Sequence, residues 1–251
     1  MDAIRSKQNP LCIHLRRLAD SRSYRRERGE FFCDSPKLLE EALHWGAEVR
    51  AVLYTADAAL PPLPAGIRAA EVTAEVMRSV SPMEAPQGVV FSCAVRESAP
   101  PALLTGRRYL VLDGIQDPGN LGTMLRTADA FDCEGLFLLP GCADLYNPKT
   151  LRSAMGVLFR RSVWRCELDA LSALLHASAL PLYGAALRED TADVRSLDMK
   201  RCAVAIGNEG HGLSEAVLRR CDRTVKIPMS ERCESLNAAA AAAVLLWEMY
   251  R

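Results

Sequence analysis

The chain has 251 residues, 49% of them hydrophobic and 25% charged, with 31 basic side chains balanced by 31 acidic ones. This is ordinary globular composition for one or two domains with a core large enough to need no staples, and a net charge of zero excludes any argument about partners from overall charge. Nine cysteines scattered without a C-x-x-C pair exclude a disulfide framework and a zinc site, and fit a reducing cytosol.

The first thirty residues are strongly basic: Arg5, Lys7, Arg16, Arg17, Arg22, Arg25, Arg26 and Arg28 face only Asp2, Asp20, Glu27 and Glu30. Such a segment either lies on phosphates or forms a solvated, partly helical arm. Residues 1–15 hold no signal-peptide core. The longest apolar run, 238–247, is half of the ~20 residues that span a bilayer, so the chain reads as a soluble, cytoplasmic protein with no membrane partner. Residues 36–46 predict a helix that opens with Pro36 and closes at Gly46. Residues 49–54 predict a strand, 61–66 a turn-rich loop, 73–80 a short helix and 88–94 another strand, which together make a small α/β domain. Residues 97–106, with Pro100 and Pro101, read as a linker. Beyond it, strands at 108–112, 136–139, around Val163, and at 181–186, 203–206 and 224–227 alternate with helices at 121–131, 147–155, 170–178, 213–220 and 235–250. That alternation predicts a mainly parallel sheet covered on both faces.

Three segments of this second half carry chemistry. In the first, LDGIQDPGNLGTMLRTADAF (112–131), a strand ends in a turn and Asn120 stands as a natural N-cap for the next helix. Arg126 sits about two turns in, off the apolar stripe of Leu121, Met124, Leu125 and Ala128, where it can reach over the ligand-binding edge of the sheet. A cap and a surface salt bridge would account for the same residues. The second segment, AVAIGNEGHGLS (203–214), runs from a buried strand into a loop with Gly207, Gly210 and Gly212. Its spacing is not the dinucleotide fingerprint, and Glu209 would repel a pyrophosphate. A nucleotide-like ligand with a cationic centre suits Glu209 better, although a carboxylate serving a helix dipole is an equally ordinary role. His211 has no visible partner and reads as structural or solvent-facing. The third segment, IPMSERCESLNAAAAAAVLLWEMY (227–250), leads through a polar loop into an alanine-packed helix. Ser235 and Asn237 at its mouth either cap it or bond a ligand. Asp113 and Asp117 are too few to hold a metal.

Taken together, the N-x-G…R, G-N-E-G-x-G and I-P-M…E-S-L-N blocks resemble, in order, those of the SpoU/TrmH-type RNA ribose 2′-O-methyltransferases of the SPOUT superfamily. The resemblance implies a C-terminal α/β domain with a deep trefoil knot, S-adenosylmethionine bent into the knotted loops, and a homodimer with sites near its interface. Residues 31–94, including Pro86-Gln87-Gly88, resemble the family's substrate-binding domain, itself similar to a small RNA-binding ribosomal protein. Residues 4–15, with Asn9-Pro10, resemble the basic extension of one branch. Where that branch often has Glu-Gly, this chain has Asp34-Ser35. The implied layout is a basic extension (1–29), an RNA-binding domain (30–96), a linker (97–106) and a catalytic domain (107–251). The resemblance gives Arg126 the catalytic part, with Asn120, Glu209, Ser235 and Asn237 completing the site. Gly207, Ile227, Met229 and Leu236 would hold the cofactor. Arginine, with a pKa above about 12, is better suited to stabilising an alkoxide or clamping a phosphate than to acting as a base. Ribosomal RNA is the favoured substrate. The alternatives are a transfer-RNA 2′-O-methyltransferase, an RNA-binding protein without catalysis, a dinucleotide-dependent oxidoreductase, or methylation of a base.

Overall fold

The computed structural model describes residues 3–96, 98–188, 191–230 and 232–251. Asp2, the first linker position Glu97, and Glu231 of the polar loop, all named above, lie outside the described residues. In chain order the elements are α1 (Pro10–Asp20), α2 (Arg22–Arg28), β1 (Glu30–Asp34), α3 (Pro36–His44), β2 (Val49–Tyr54), β3 (Arg68–Glu71), α4 (Ala74–Val80) and β4 (Val89–Ala94). They continue with β5 (Arg108–Leu112), α5 (Pro118–Ala130), β6 (Gly135–Leu138), α6 (Pro148–Ala154), α7 (Val157–Arg160), β7 (Val163–Arg165) and α8 (Leu168–Ala177). The last are β8 (Leu182–Ala185), β9 (Ala192–Asp193), β10 (Cys202–Ile206), α9 (Glu215–Leu218), β11 (Arg223–Lys226) and α10 (Ala238–Tyr250). Packing divides the chain into two units: residues 1–96 with 144–160, and residues 97–143 with 161–251. α6 and α7 pack with the first unit although they lie within residues 107–251 of the sequence.

The first unit is built on a four-stranded sheet in the order β1-β4-β2-β3. β4 runs antiparallel to both neighbours, and β3 joins β2 in parallel. The basic segment is not a solvated arm. Asn9 caps α1 by accepting from Leu11 N at 2.9 Å, and Pro10 takes the first helical position. Leu11, Leu15 and Leu18 then recur on one helical face and are buried with Val76, Met77 and Val80 of α4 and Phe32, Leu53 and Val90 of the sheet. Several of the basic side chains are committed to this structure. Arg16 Nε donates to the Ser79 carbonyl at 2.7 Å, Lys7 pairs with Glu75 at 2.8 Å, and the Arg17 guanidinium lies 3.9 Å over the Tyr24 ring. Buried Arg25 meets Asp144 at 2.6 Å and donates to the carbonyls of Leu18 and Ala19 at the end of α1. Arg5, Arg22 and Arg26 remain exposed with no partner among the described residues.

The second unit carries a seven-stranded sheet in the order β7-β6-β5-β10-β8-β11-β9, with every neighbouring pair parallel. Burial on both faces explains the unbroken apolar runs YLVL of β5, GLFL of β6 and CAVAI of β10. Tyr109, Val111, Ala203 and Ala205 face one side, where Leu171 and Leu175 of α8 and Val217 of α9 cover them. The alternate residues Leu110, Leu112, Val204 and Ile206 face the other side, where α5 and α10 pack on each other. From β5 the chain steps outward to β6 and β7, and then returns to place β10 on β5's other flank. The strand order thus reverses beside β5, and the carboxyl ends of β5 and β10 flank the crevice where an open α/β sheet binds its ligand.

Candidate functional site

The loop after β10 closes on itself. Asn208 and Gly212 exchange both backbone hydrogen bonds at 2.9 Å, and Asn208 Oδ1 accepts from Gly210 N at 2.8 Å and His211 N at 3.2 Å. Asn208 Nδ2 donates to the Gly114 carbonyl at 2.8 Å, and Asp113 Oδ2 accepts from Ser214 N at 2.7 Å, so the loops after β5 and β10 form one body. A Cβ on Gly207 would stand 2.1 Å from Gly212 C and Leu213 N, so only glycine permits this fold-back. His211 is exposed, with no side-chain partner among the described residues.

Beside this loop lies a cavity of about 310 Å3. Ala185, Ile206, Ile227, Leu236, Ala241 and Leu245 give it apolar walls, and Gly207, Asn208, Glu209 and Gly210 form one rim. All four residues expected to hold a cofactor, Gly207, Ile227, Met229 and Leu236, line it, as do Glu209 and Ser235. Sequence reasoning missed Ala185 at the end of β8, Ala186 and Leu187 just beyond it, Lys226 of β11, and Ala241. Apart from Lys226, these residues have no chemistry of their own to flag them. The available signal was their position at the carboxyl ends of parallel strands, or on the small-residue face of α10. Leu187, 58% exposed, and Leu236, 38% exposed, stand along the wall as apolar side chains without cover.

Asp117, not Asn120, caps α5: its Oδ1 accepts from Asn120 N at 2.8 Å. Pro118 occupies the first helical position, which makes the preceding residue the cap. The Asn120 side chain is thereby released for another task. Asn237 caps α10, its Oδ1 accepting from Ala239 N at 2.9 Å and Ala240 N at 3.3 Å. That contact points Nδ2 of Asn237 at Asn120 Oδ1, 3.2 Å away, and so points Nδ2 of Asn120 at Glu209 Oε1, 3.0 Å away. The Glu209 carboxylate also accepts from Gln116 N at 3.1 Å and Asp117 N at 3.2 Å. Partial burial pushes the Glu209 carboxyl up, but the Asn120 amide and the backbone N–H groups of Glu209, Gln116 and Asp117 outweigh it and hold it below the ordinary glutamate value of 4.5. The three sequence blocks thus meet in one hydrogen-bonded chain that keeps a carboxylate ionised at the cavity rim.

Arg126 does not join them. It is exposed on α5 without a partner among the described residues, six positions beyond Asn120 or about 9 Å along the helix axis.

The cavity fits S-adenosylmethionine by the chemistry of its lining. An apolar slot suits a base, closely approaching loop backbone suits a ribose, and a fixed carboxylate suits a sulfonium. A pyrophosphate would meet that carboxylate with repulsion.

Residues 107–247 match the model of the SpoU rRNA Methylase family, and residues 9–90 that of the MRM3-like substrate binding domain. The chain is 36% identical over 220 residues to the 23S rRNA (guanosine(2553)-2′-O)-methyltransferase RlmP of Bacillus subtilis, covering 87% of this chain and 88% of that protein. It is 30% identical over 249 residues to the 23S rRNA (uridine(2479)-2′-O)-methyltransferase of Streptomyces viridochromogenes, covering 93% and 87% respectively. An AdoMet-bound rRNA methyltransferase from Sinorhizobium meliloti superposes with a TM-score of 0.87 at 28% identity, over 99% of this chain and 97% of that one.

Proposed function

The chain belongs to the SpoU rRNA methylase family, and from that membership and the cavity we infer an S-adenosylmethionine-dependent enzyme that methylates a ribose 2′-hydroxyl of RNA. Ribosomal RNA is the favoured substrate, since the Bacillus subtilis and Streptomyces viridochromogenes relatives are named for nucleotides of 23S rRNA. The observation that carries this reading is the ionised Glu209 carboxylate, locked by Asn120 and Asn237 at the rim of an apolar cavity.

Bound there, S-adenosylmethionine supplies an electrophilic methyl carbon on a sulfonium. The residues of the chain do the rest. Glu209 sets a negative potential at the cavity rim. Asn120 and Asn237 fix its orientation. Gly207, Ile227, Met229 and Leu236 bind through backbone groups and apolar contact, and Ser235 adds a hydroxyl beside them. Arg126 stabilises the developing alkoxide of the ribose or clamps its neighbouring phosphate, which aligns the nucleophile.

The position of Arg126 outside the cavity lining supports a homodimer in which a second copy completes each site. The exposed face of Val244, Trp247 and Tyr250 on α10 supports it further: Trp247 is 51% and Tyr250 49% exposed, Trp247 meeting Phe131 edge-on and Tyr250 meeting it at a tilt. A knotted chain path is supported by β10, which comes late in sequence yet lies between β5 and β8. We assign residues 1–96 to RNA binding, with 1–29 as its basic part and 30–96 as a domain similar to a ribosomal protein, and we assign 107–251 to catalysis. No helix among the described residues is long and apolar enough to cross a membrane; a cytoplasmic location fits a ribosomal substrate.

Calorimetric titration tests the cofactor assignment. S-adenosylmethionine is expected to bind and a nicotinamide dinucleotide not to bind. The reverse result would replace this reading with an oxidoreductase.

A further inference from the structure

The first unit holds a second cavity, of about 220 Å3, that the methyl-transfer site does not use. The end of β1 and the first turn of α3 contribute Asp34, Ser35 and Lys37, the loop after α4 contributes Met83 and Gln87, and α6 with its C-cap contributes Arg152 and Met155.

Three features distinguish this cavity from a packing gap. The first is its backbone. Four non-glycine residues have positive φ among the described residues, and two of them are here: Ser35 at 114° and Met155 at 49°. Such conformations concentrate where a fold holds a ligand-shaped surface against its own preference. The second is its charge. The Asp34 carboxylate is buried, and Arg152 Nη1 reaches it at 3.0 Å. Burial pushes the Asp34 carboxyl up while Arg152 pulls it down. Asp34 is the one polar partner of Arg152 among the described residues, so the rest of a fork with five N–H donors stays available. The third is its open rim. Lys37 and Gln87 are exposed with no polar partner among the described residues, and Met83 is 36% exposed.

Each lining chemistry matches one part of a nucleotide. Lys37, together with the Arg152 donors that Asp34 leaves unused, suits a phosphate. Two thioethers suit the face of a base, since sulfur–aromatic contacts are favourable. A free carboxamide suits a base edge, being both donor and acceptor. The cavity is smaller than the roughly 300–1,000 Å3 of drug-sized pockets, which points to one base and not a stacked pair. A duplex keeps its bases inside and would leave such a recess empty, whereas an unpaired nucleotide can be splayed into it.

We propose that this cavity is a subsite for one unpaired nucleotide of the substrate RNA, its base between Met83 and Met155, its edge on Gln87 and its phosphate on Lys37 and Arg152. The proposal rests on the reading of the chain as an RNA methyltransferase and adds a grip on the substrate within the first unit.

The test uses the full chain, an unmodified 23S rRNA transcript, and two variants with exposed substitutions: Lys37→Ala, and the double variant Met83→Ala/Gln87→Ala. Urea unfolding first establishes that both fold like the parent. In filter binding and in steady-state methyl transfer, the double variant is expected to raise Kd and KM for the transcript about three- to tenfold, with affinity for S-adenosylmethionine unchanged. Lys37→Ala is expected to reduce the slope of log affinity against log salt by about one. Transcript affinities within a factor of about two of the parent, with an unchanged salt slope, would overturn the subsite. If the parent methylates no transcript, that failure falls on the proposed activity, and the binding comparison still decides the subsite.

Discussion

The helix pair α1–α2 and the helix α5 both carry arginines, and they put them to opposite use. Arg25 on α2 is buried, paired with Asp144 at 2.6 Å and bonded to two carbonyls that end α1. Arg126 on α5 is exposed and bonded to nothing described, on a helix whose first turn holds Glu209 and Asn237 through Asn120. In sequence the first arginine sits in a run that reads as a nucleic-acid surface, and the second sits alone beside an apolar stripe. The three-dimensional contacts overturn the first of these readings: a cation whose donors are already satisfied internally holds the fold, whereas Arg126, without a partner among the described residues, stays available for a ligand.

Substitutions can break or sharpen this contrast. The largest effect is expected for Arg25→Ala, which removes both the ion pair to the largely buried Asp144 carboxylate and the two bonds to the end of α1, and should destabilise the first unit by about 3–5 kcal/mol in urea unfolding. A change below about 1 kcal/mol would mean that the pair is not structural. Arg126→Ala should lower kcat by about 10²–10³-fold, the usual cost of losing one donor to a developing oxyanion, with unfolding midpoint and S-adenosylmethionine affinity unchanged. Equal loss of cofactor binding would remove Arg126 from its catalytic role. Glu209→Gln should weaken S-adenosylmethionine binding about tenfold, or ~1.4 kcal/mol. It should also change the acid side of the stability profile. Because the folded Glu209 pKa lies below 4.5, the parent carries a stabilising contribution above 4.5 that is lost as pH falls through the lower folded value. The variant should lack that slope, and an unchanged profile would mean that the carboxylate is not held as described. The smallest effect concerns Ser35, whose φ of 114° favours glycine. Its hydroxyl caps α3 by accepting from Leu38 N at 3.2 Å, but glycine at an N-cap costs only a few tenths of a kcal/mol. Ser35→Gly should therefore stabilise the protein by about 1 kcal/mol, and any loss of stability would show that the cap outweighs the strain.

The parts of the fold that local chemistry determines were legible in the sequence. β2 has its expected limits of 49–54, and the α3, α4 and α10 segments show their caps and periods openly. β3 (RAAE) did not declare itself, because nothing in four small and charged residues favours a strand until β2 provides a parallel partner. α1 was obscured by its arginines, although Leu11, Leu15 and Leu18 carry a helical period beneath them. In the site, the three blocks singled out Glu209, Ser235, Gly207, Ile227, Met229 and Leu236, which line one cavity, but the cap of α5 falls one turn earlier than Asn120 because Pro118 takes the first helical position. The folding role of α1 also changes how RNA contacts should be tested. Deleting residues 1–29 would remove core leucines along with the charges, whereas substituting exposed Arg5, Arg22 and Arg26 alters charge alone.

The most direct test is transfer of a labelled methyl group from S-adenosylmethionine to unmodified, size-fractionated bacterial RNA, followed by nucleoside analysis of the product. The account predicts a single 2′-O-methylated nucleoside, in the large ribosomal RNA. A methylated base, or a protein that binds no S-adenosylmethionine, would contradict it.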